Sequence, residues 1–229
     1  MTTVHSAIQA LLAAANVPAH EAERRPPKPV IAISRDHGAL GRKIANALAQ
    51  RLDVPVYDRE ILDKIAERLN TDPQTLKMLD ECVARARDMW MVRLFTGIDL
   101  SEDAYRNHLV NVIFSLARSG GIILGRGANV VLSTSCALRV RVIASPETCT
   151  KRVVERYKIT EEEARQQIEA VNHNRGRFVW EMFQHRVSDS TNFDLVINTD
   201  RLQAADEVVD MVMAAYAGIV SVREAEGTC

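Results

Sequence analysis

The chain has 229 residues, of which 47% are hydrophobic and 26% charged, a balance that fits one soluble globular domain with small appendages. A formal net charge of −1 excludes the global basic field that a nucleic-acid polymer or an anionic membrane would call for. The charge is nonetheless uneven: Arg139 to Arg186 holds ten Lys/Arg against seven Asp/Glu, whereas Val187 to Cys229 holds two against eight, so a local anion site is expected in the first stretch.

The cysteines Cys82, Cys136, Cys149 and Cys229 have no C-x-x-C spacing and no nearby histidine pattern, so neither a metal site nor a disulfide framework is expected. A reducing cytoplasm is the expected location. No apolar run approaches the ~18 residues that a membrane span needs, and Met1 to His5 lacks the basic and apolar regions of a secretory signal.

In chain order, Val4, Ile8, Leu11, Leu12 and Ala15 share one face of a helix over 4–17, the candidate contact for a homo-oligomer. Glu21 to Pro29 reads as a linker because its three prolines break a helix interior, which closes an N-terminal segment over 1–29. Val30 to Ile33 predicts a strand, and Gly41 to Leu52 a helix with Ile44, Ala45, Leu48, Ala49 and Leu52 on one stripe. Val54 to Tyr57 predicts a second strand, after which Asp58 opens a helix carrying Ile61, Leu62, Ile65 and Leu69. Residues 71–118 read as a helical insert, and Gly121 to Leu124 as a third strand entering Gly125-Arg126-Gly127.

Leu138 to Ala144 predicts the fourth strand, with Pro146 placed as the first residue of the next helix. Thr160 and Glu163 have the spacing of a capping box. Phe193 to Ile197 predicts the fifth strand, Ala204 to Ala217 a closing helix, and 218–229 a flexible tail. Strands alternating with helices predict an α/β fold: a five-stranded parallel sheet with helices on both faces. Ligands of such sheets lie beyond the carboxyl ends of the strands.

Three features at those ends point to phosphate. The first is the turn after strand one, where Gly38, Ala39 and Gly41 expose backbone N–H groups beside a helix N-terminus. Its spelling departs from a P-loop: Asp36 stands at the first glycine, Arg42 at the lysine and Lys43 at the magnesium-binding hydroxyl. The second feature is Asp58 after strand two together with Arg126 after strand three, an acid and a planar guanidinium suited to a substrate phosphate. The third is a set of arginines, Arg152 and Arg156 four residues apart and Arg175 and Arg177 beyond the next helix. Phosphoryl transfer relies on alignment and charge neutralisation, which cations of this kind supply. Helical ion pairs would account for the same arginines. A dinucleotide fold would use Asp58, 20 residues past Gly38, as its ribose acid, but the loop lacks G-x-G-x-x-G.

From Val30 to about Tyr216 the chain resembles the cytidylate kinase-like family, a branch of the nucleoside monophosphate kinases. The blocks that carry the resemblance are I-A-I-S-R-D-H-G-A-L-G-R-K-I-A (31–45), V-P-V-Y-D-R-E-I-L (54–62), I-I-L-G-R-G-A-N (122–129) and N-F-D-L-V-I-N-T (192–199). The resemblance implies a domain over 30–217 of P-loop monophosphate kinase type, with a helical insert over 71–118 and a lid over 151–186. It implies ATP and Mg2+ as cosubstrates and CMP or dCMP as acceptor. Carried over, Gly38, Ala39, Gly41, Arg42 and Lys43 line the ATP phosphates, and Asp58, Lys64, Arg126 and Arg177 face the acceptor. Arg42, Arg152, Arg156 and Arg175 then neutralise the moving phosphoryl group. The loop's lack of the usual lysine and hydroxyl leaves a second expectation, a catalytically weak or inactive nucleotide-binding protein with a sensing role.

Overall fold

The computed structural model describes residues 3–4, 6–9, 29–71, 104–133, 135, 137–202 and 204–225. The N-terminal helix expected over 4–17, its linker, the insert over 72–103 and the last four residues lie largely or wholly outside the described residues.

Five strands form one sheet: β1 (Val30–Arg35), β2 (Val56–Tyr57), β3 (Gly121–Leu124), β4 (Leu138–Ile143) and β5 (Leu195–Asn198), in the order β2-β3-β1-β4-β5. The pairs β1/β4, β2/β3 and β4/β5 are parallel, with Ile33 opposite Val140, Tyr57 opposite Ile123 and Val142 opposite Ile197. Between them run helices α1 (Gly41–Leu52), α2 (Arg59–Thr71), α3 (Ala104–Ser119), α4 (Ala128–Val131), α5 (Pro146–Tyr157), α6 (Glu161–Phe183) and α7 (Ala205–Ala225). The expected α/β fold with a five-stranded parallel sheet is the one observed.

Contacts divide the chain into two compact units, Met1–Val30 with Val54–Ile123, and Ile31–Asp53 with Leu124–Cys229. In the first, α2 and α3 pack on each other and Ile61, Leu62, Ile65, Leu109, Val112, Ile113 and Leu116 are buried. Tyr57 is fully buried there, and burial pushes its hydroxyl up to about 12. In the second, Ile31, Ile33, Leu138, Val140 and Val142 of β1 and β4 are buried, as are Ile44, Leu48, Val208 and Val212 of α1 and α7.

Local signals act where they are strongest. Ser145 caps α5 by accepting from the Thr148 N–H, with Pro146 in the first turn, and Thr160 and Glu163 form the reciprocal capping box of α6. Several boundaries differ from expectation: β1 runs on past Ile33 to Arg35, and β4 stops at Ile143, one residue early. β2 is two residues long because the chain pairs only at Val56 and Tyr57. β5 starts at Leu195 because Asp194 is taken by Arg139: its carboxylate accepts from Arg139 Nη2 at 2.6 Å and Nε at 3.1 Å. The last helix runs through Gly218 to Ala225, beyond the end expected at 217, since a side chain at Gly218 would meet nothing within 4 Å and glycine there only weakens the helix.

Candidate phosphate site

The site is built from the turn after β1. Asp36 leaves the strand through an N–H bond to Val142 O (3.0 Å), and its carboxylate accepts from Arg141 Nη2 at 2.6 Å, both side chains being mostly buried. An aspartate at this position thus ties the turn to β4 and is neutralised there. Gly38 (φ 89°) then passes so close to α5 that a Cβ would lie 2.8 Å from the Cys149 Cα and carbonyl oxygen, so only glycine fits both the angle and the space. Burial pushes the Cys149 thiol up to about 11, leaving it a protonated packing group rather than a nucleophile. Leu40 (φ 64°) is a left-handed N-cap without a side-chain bond to α1, and the first turn of α1 contains no acid. The leading N–H groups of a helix have no acceptor within it; those of Gly41 and Lys43 head α1, at the positive end of its dipole. The side chains of Arg42 and Lys43 are exposed.

Arginines surround this turn. Arg35 extends from β1 beneath Gly41, where a Cβ would sit 2.5 Å from the Arg35 Cβ, and its Nη1 reaches Gly125. The turn after β1 and the turn after β3 therefore share one wall, made by Arg35. Arg175 Nη1 donates to the Arg35 carbonyl at 3.0 Å. His37 lies in the midst of them. Its N–H donates to Asn172 Oδ1 (2.8 Å), and its ring stacks with Tyr157 at 6.1 Å. The Gln167 side-chain amide meets His37 Nε2 at 3.2 Å. Burial first, then the charges of Arg175, Arg156 and Arg35, hold His37 below its ordinary value of 6.5.

The turn after β3 is of another kind. Gly125 (φ 87°), Arg126 (φ 54°) and Gly127 (φ 69°) are three consecutive left-handed residues. The Gly125 N–H is bonded to Ile33 O at 3.0 Å, and the Gly127 carbonyl accepts from Val130 (2.8 Å) and Val131 (3.0 Å) in α4. Phe183 lies against Gly127 where a Cβ would be, and the Arg126 guanidinium lies 4.1 Å from the centre of the Phe178 ring.

The remaining sequence candidates divide. Arg156 and Arg175 join the cluster. Arg152 does not face outward: it donates to Thr199 Oγ1 (2.9 Å), Thr199 O (2.7 Å) and Leu202 O (3.1 Å). The hydroxyl of Thr199, fully buried, lies between two carbonyls that share its one proton, Ile143 O at 3.2 Å and Ala39 O at 3.4 Å, so Arg152 braces the turn after β1 from behind. Arg177 is 60% exposed and lies 3.7 Å from Glu181, one helical turn along. In the first unit, Asp58 Oδ1 accepts from the Glu60 and Ile61 N–H groups (3.1 and 3.3 Å) and so caps α2. Lys64 is exposed and paired with Glu60 at 2.7 Å, which raises its pKa. Arg35 was not legible as a site residue, because a charged residue ending a strand has no local signal for what it will cross. Gln167 and Asn172 were equally silent, and His37, next to the turn, offered only the weak signal of a lone histidine.

A parallel sheet with helices between its strands, whose first strand ends in a glycine turn at a helix N-terminus, places the chain in the class of α/β proteins. Within it, the chain belongs to the cytidylate kinase-like family, whose model matches residues 30–201. Among solved structures, it is similar to an uncharacterized protein from Eubacterium ventriosum ATCC 27560, with a TM-score of 0.63 and 22% identity over 82% of this chain and 98% of that one, a likeness of fold. Weaker superpositions are found with a shikimate kinase from Bacteroides thetaiotaomicron (TM-score 0.45, 18% identity, 81% and 96% covered) and a gluconokinase from Sinorhizobium meliloti 1021 (0.46, 14%, 88% and 99%). No curated protein matches the sequence. Among the described residues, no helix is long and apolar enough to cross a membrane.

Proposed function

We propose that the protein is an ATP-dependent phosphotransferase that moves the γ-phosphate to a pyrimidine nucleoside monophosphate, CMP or dCMP. One observation carries this reading. Arg35, Arg156 and Arg175 all act on His37 beside the glycine turn, while the Asp36 carboxylate in that turn is occupied by Arg141. Cations from β1, α5 and α6 beside a glycine turn that heads α1 suit a polyphosphate, which matches both the charge and the backbone donors there. The acceptor reading rests on family membership and on Arg126, whose neighbour Gly125 meets the Arg35 guanidinium.

Lys43 stands where a hydroxyl would hold magnesium, and no cluster of three His, Cys, Asp or Glu side chains that could hold a metal occurs among the described residues. This chain therefore suits a metal that arrives on the triphosphate, with Arg42 and Lys43 near the phosphates in place of protein ligands. The metal would neutralise phosphate charge and align the transferred group. The protein's part is to hold the phosphates in line and exclude water.

The test is ADP release with CMP, dCMP, UMP, AMP and GMP as acceptors. Turnover with the cytidine nucleotides above the others is expected; background rates with all five would overturn the reading. A second reading, a nucleotide sensor, is favoured by the missing lysine and hydroxyl at Arg42 and Lys43 and by the diversion of Arg152 into the fold. Calorimetric binding of ATP with no turnover would select it.

A further inference from the structure

Helix α6 does more than carry arginines over the β1 turn. Its residues Gln167, Asn172 and Arg175 meet that turn, and farther along the same helix Phe178 and Phe183 meet the Gly125-Arg126-Gly127 turn. Phe183 is fully buried against Gly127, which fixes the end of α6 on the turn. The backbone of the turn is set by three left-handed residues and by bonds to β1 and α4. The direction in which the Arg126 side chain leaves is thereby fixed, but four rotatable bonds remain between that point and the guanidinium. The Phe178 ring, its centre 4.1 Å from the guanidinium carbon, is one of the groups that bear on where it comes to rest.

We propose that Phe178 is the positioning residue of the acceptor-phosphate site: its ring holds the Arg126 guanidinium by one flat face, so that the edge N–H groups are presented to the phosphate dianion of the acceptor. Stacking and bidentate hydrogen bonding use different parts of a guanidinium: the π face meets the ring, and the N–H donors lie in the plane. A stacked arginine therefore keeps its anion-binding geometry while giving up the rotamer freedom that binding would otherwise cost. The chemical class recognised is a phosphate monoester. The proposal rests on the reading of Arg126 as the acceptor's arginine.

Steady-state kinetics at saturating ATP with varied CMP test it, comparing Phe178→Leu, which loses the ring, with Phe178→Tyr, which keeps it. Loss of one cation–π platform is expected to raise the acceptor KM about tenfold in the leucine variant while kcat changes less than about threefold. The tyrosine variant restores the wild-type KM. Cytidine, which lacks the phosphate, should inhibit both variants and the wild type with the same Ki. An unchanged KM in the leucine variant, an equal loss in the tyrosine variant, or a parallel rise in the cytidine Ki would each overturn the proposal.

A second measurement separates this idea from the kinase reading and needs only wild-type protein. The Arg126 Hε resonance should lie upfield through the Phe178 ring current and shift on titration with CMP. An upfield resonance that moves with CMP in a protein without turnover would sink the kinase reading and keep the positioning role. An unshifted resonance indifferent to CMP in an active enzyme would do the reverse.

Discussion

The turns after β1 and β3 lie in the same unit and share Arg35, yet they are built on opposite plans. The first is defined by charge: one glycine is forced by close packing, Asp36 is neutralised by Arg141, and arginines from β1, α5 and α6 stand around His37. The second is defined by shape: three left-handed residues in a row, one cation against the Phe178 ring, and the Phe183 ring against Gly127. On the reading proposed here, the first turn receives a flexible polyphosphate, which needs converging positive charge that can come from several elements. A turn that must present one cation at one angle needs a backbone that does not move.

That contrast is broken most severely at Gly38. Replacing it with alanine forces a Cβ onto the Cys149 backbone at a left-handed angle, and a loss of about 2–5 kcal/mol of stability is expected, read as a large fall in the thermal midpoint. Arg175→Ala comes next. It removes a cation and the bond to the Arg35 carbonyl, so ATP affinity by calorimetry should fall about tenfold or more, while the affinity for CMP alone changes little. Equal losses for both ligands would show that the two turns do not divide the work as described.

A smaller effect concerns protons. Because folded His37 binds its proton less readily than the unfolded chain, stability rises with pH through this group. Its contribution is complete above the ordinary value of 6.5 and is lost as pH falls below 6.5 through the depressed folded value. Denaturant melts of wild type and His37→Gln across that window should diverge toward high pH, with the flatter dependence in the variant. A bound polyphosphate would offset the arginine charges that help to depress His37, so ATP binding near pH 6 should take up protons, measurable by calorimetry in buffers of different ionisation enthalpy. The smallest change is expected for Arg177→Ala. Its guanidinium is exposed and paired only loosely with Glu181, so acceptor KM should stay within about twofold, as for most exposed ion pairs.

Much of the frame was legible because its signals are local. Val30 to Ile33 and Gly121 to Leu124 are apolar runs next to proline or glycine, and such runs become buried parallel strands, while Leu138 to Ile143 alternates apolar residues with Arg139 and Arg141. Pro146, Thr160 and Glu163 marked their helix starts because capping involves only neighbouring residues. The glycine turn and the Gly125-Arg126-Gly127 turn stood out for the same reason. The arginines were a different matter. Arg152 and Arg156 share a face by spacing, but spacing does not say that the first is drawn inward by Thr199 while the second stays near His37.

By itself, then, the sequence determined the alternation of strands and helices, the two turns where glycine is required, and the family to which those blocks belong. The tertiary structure alone decided which arginines do what: Arg35 as a wall between turns, Arg152 as a brace, Arg126 held on a ring. The reason is one of range. Backbone angles and apolar periodicity are set within a few residues, whereas a guanidinium at the end of a long side chain acquires its role from whatever distant groups the fold brings beside it.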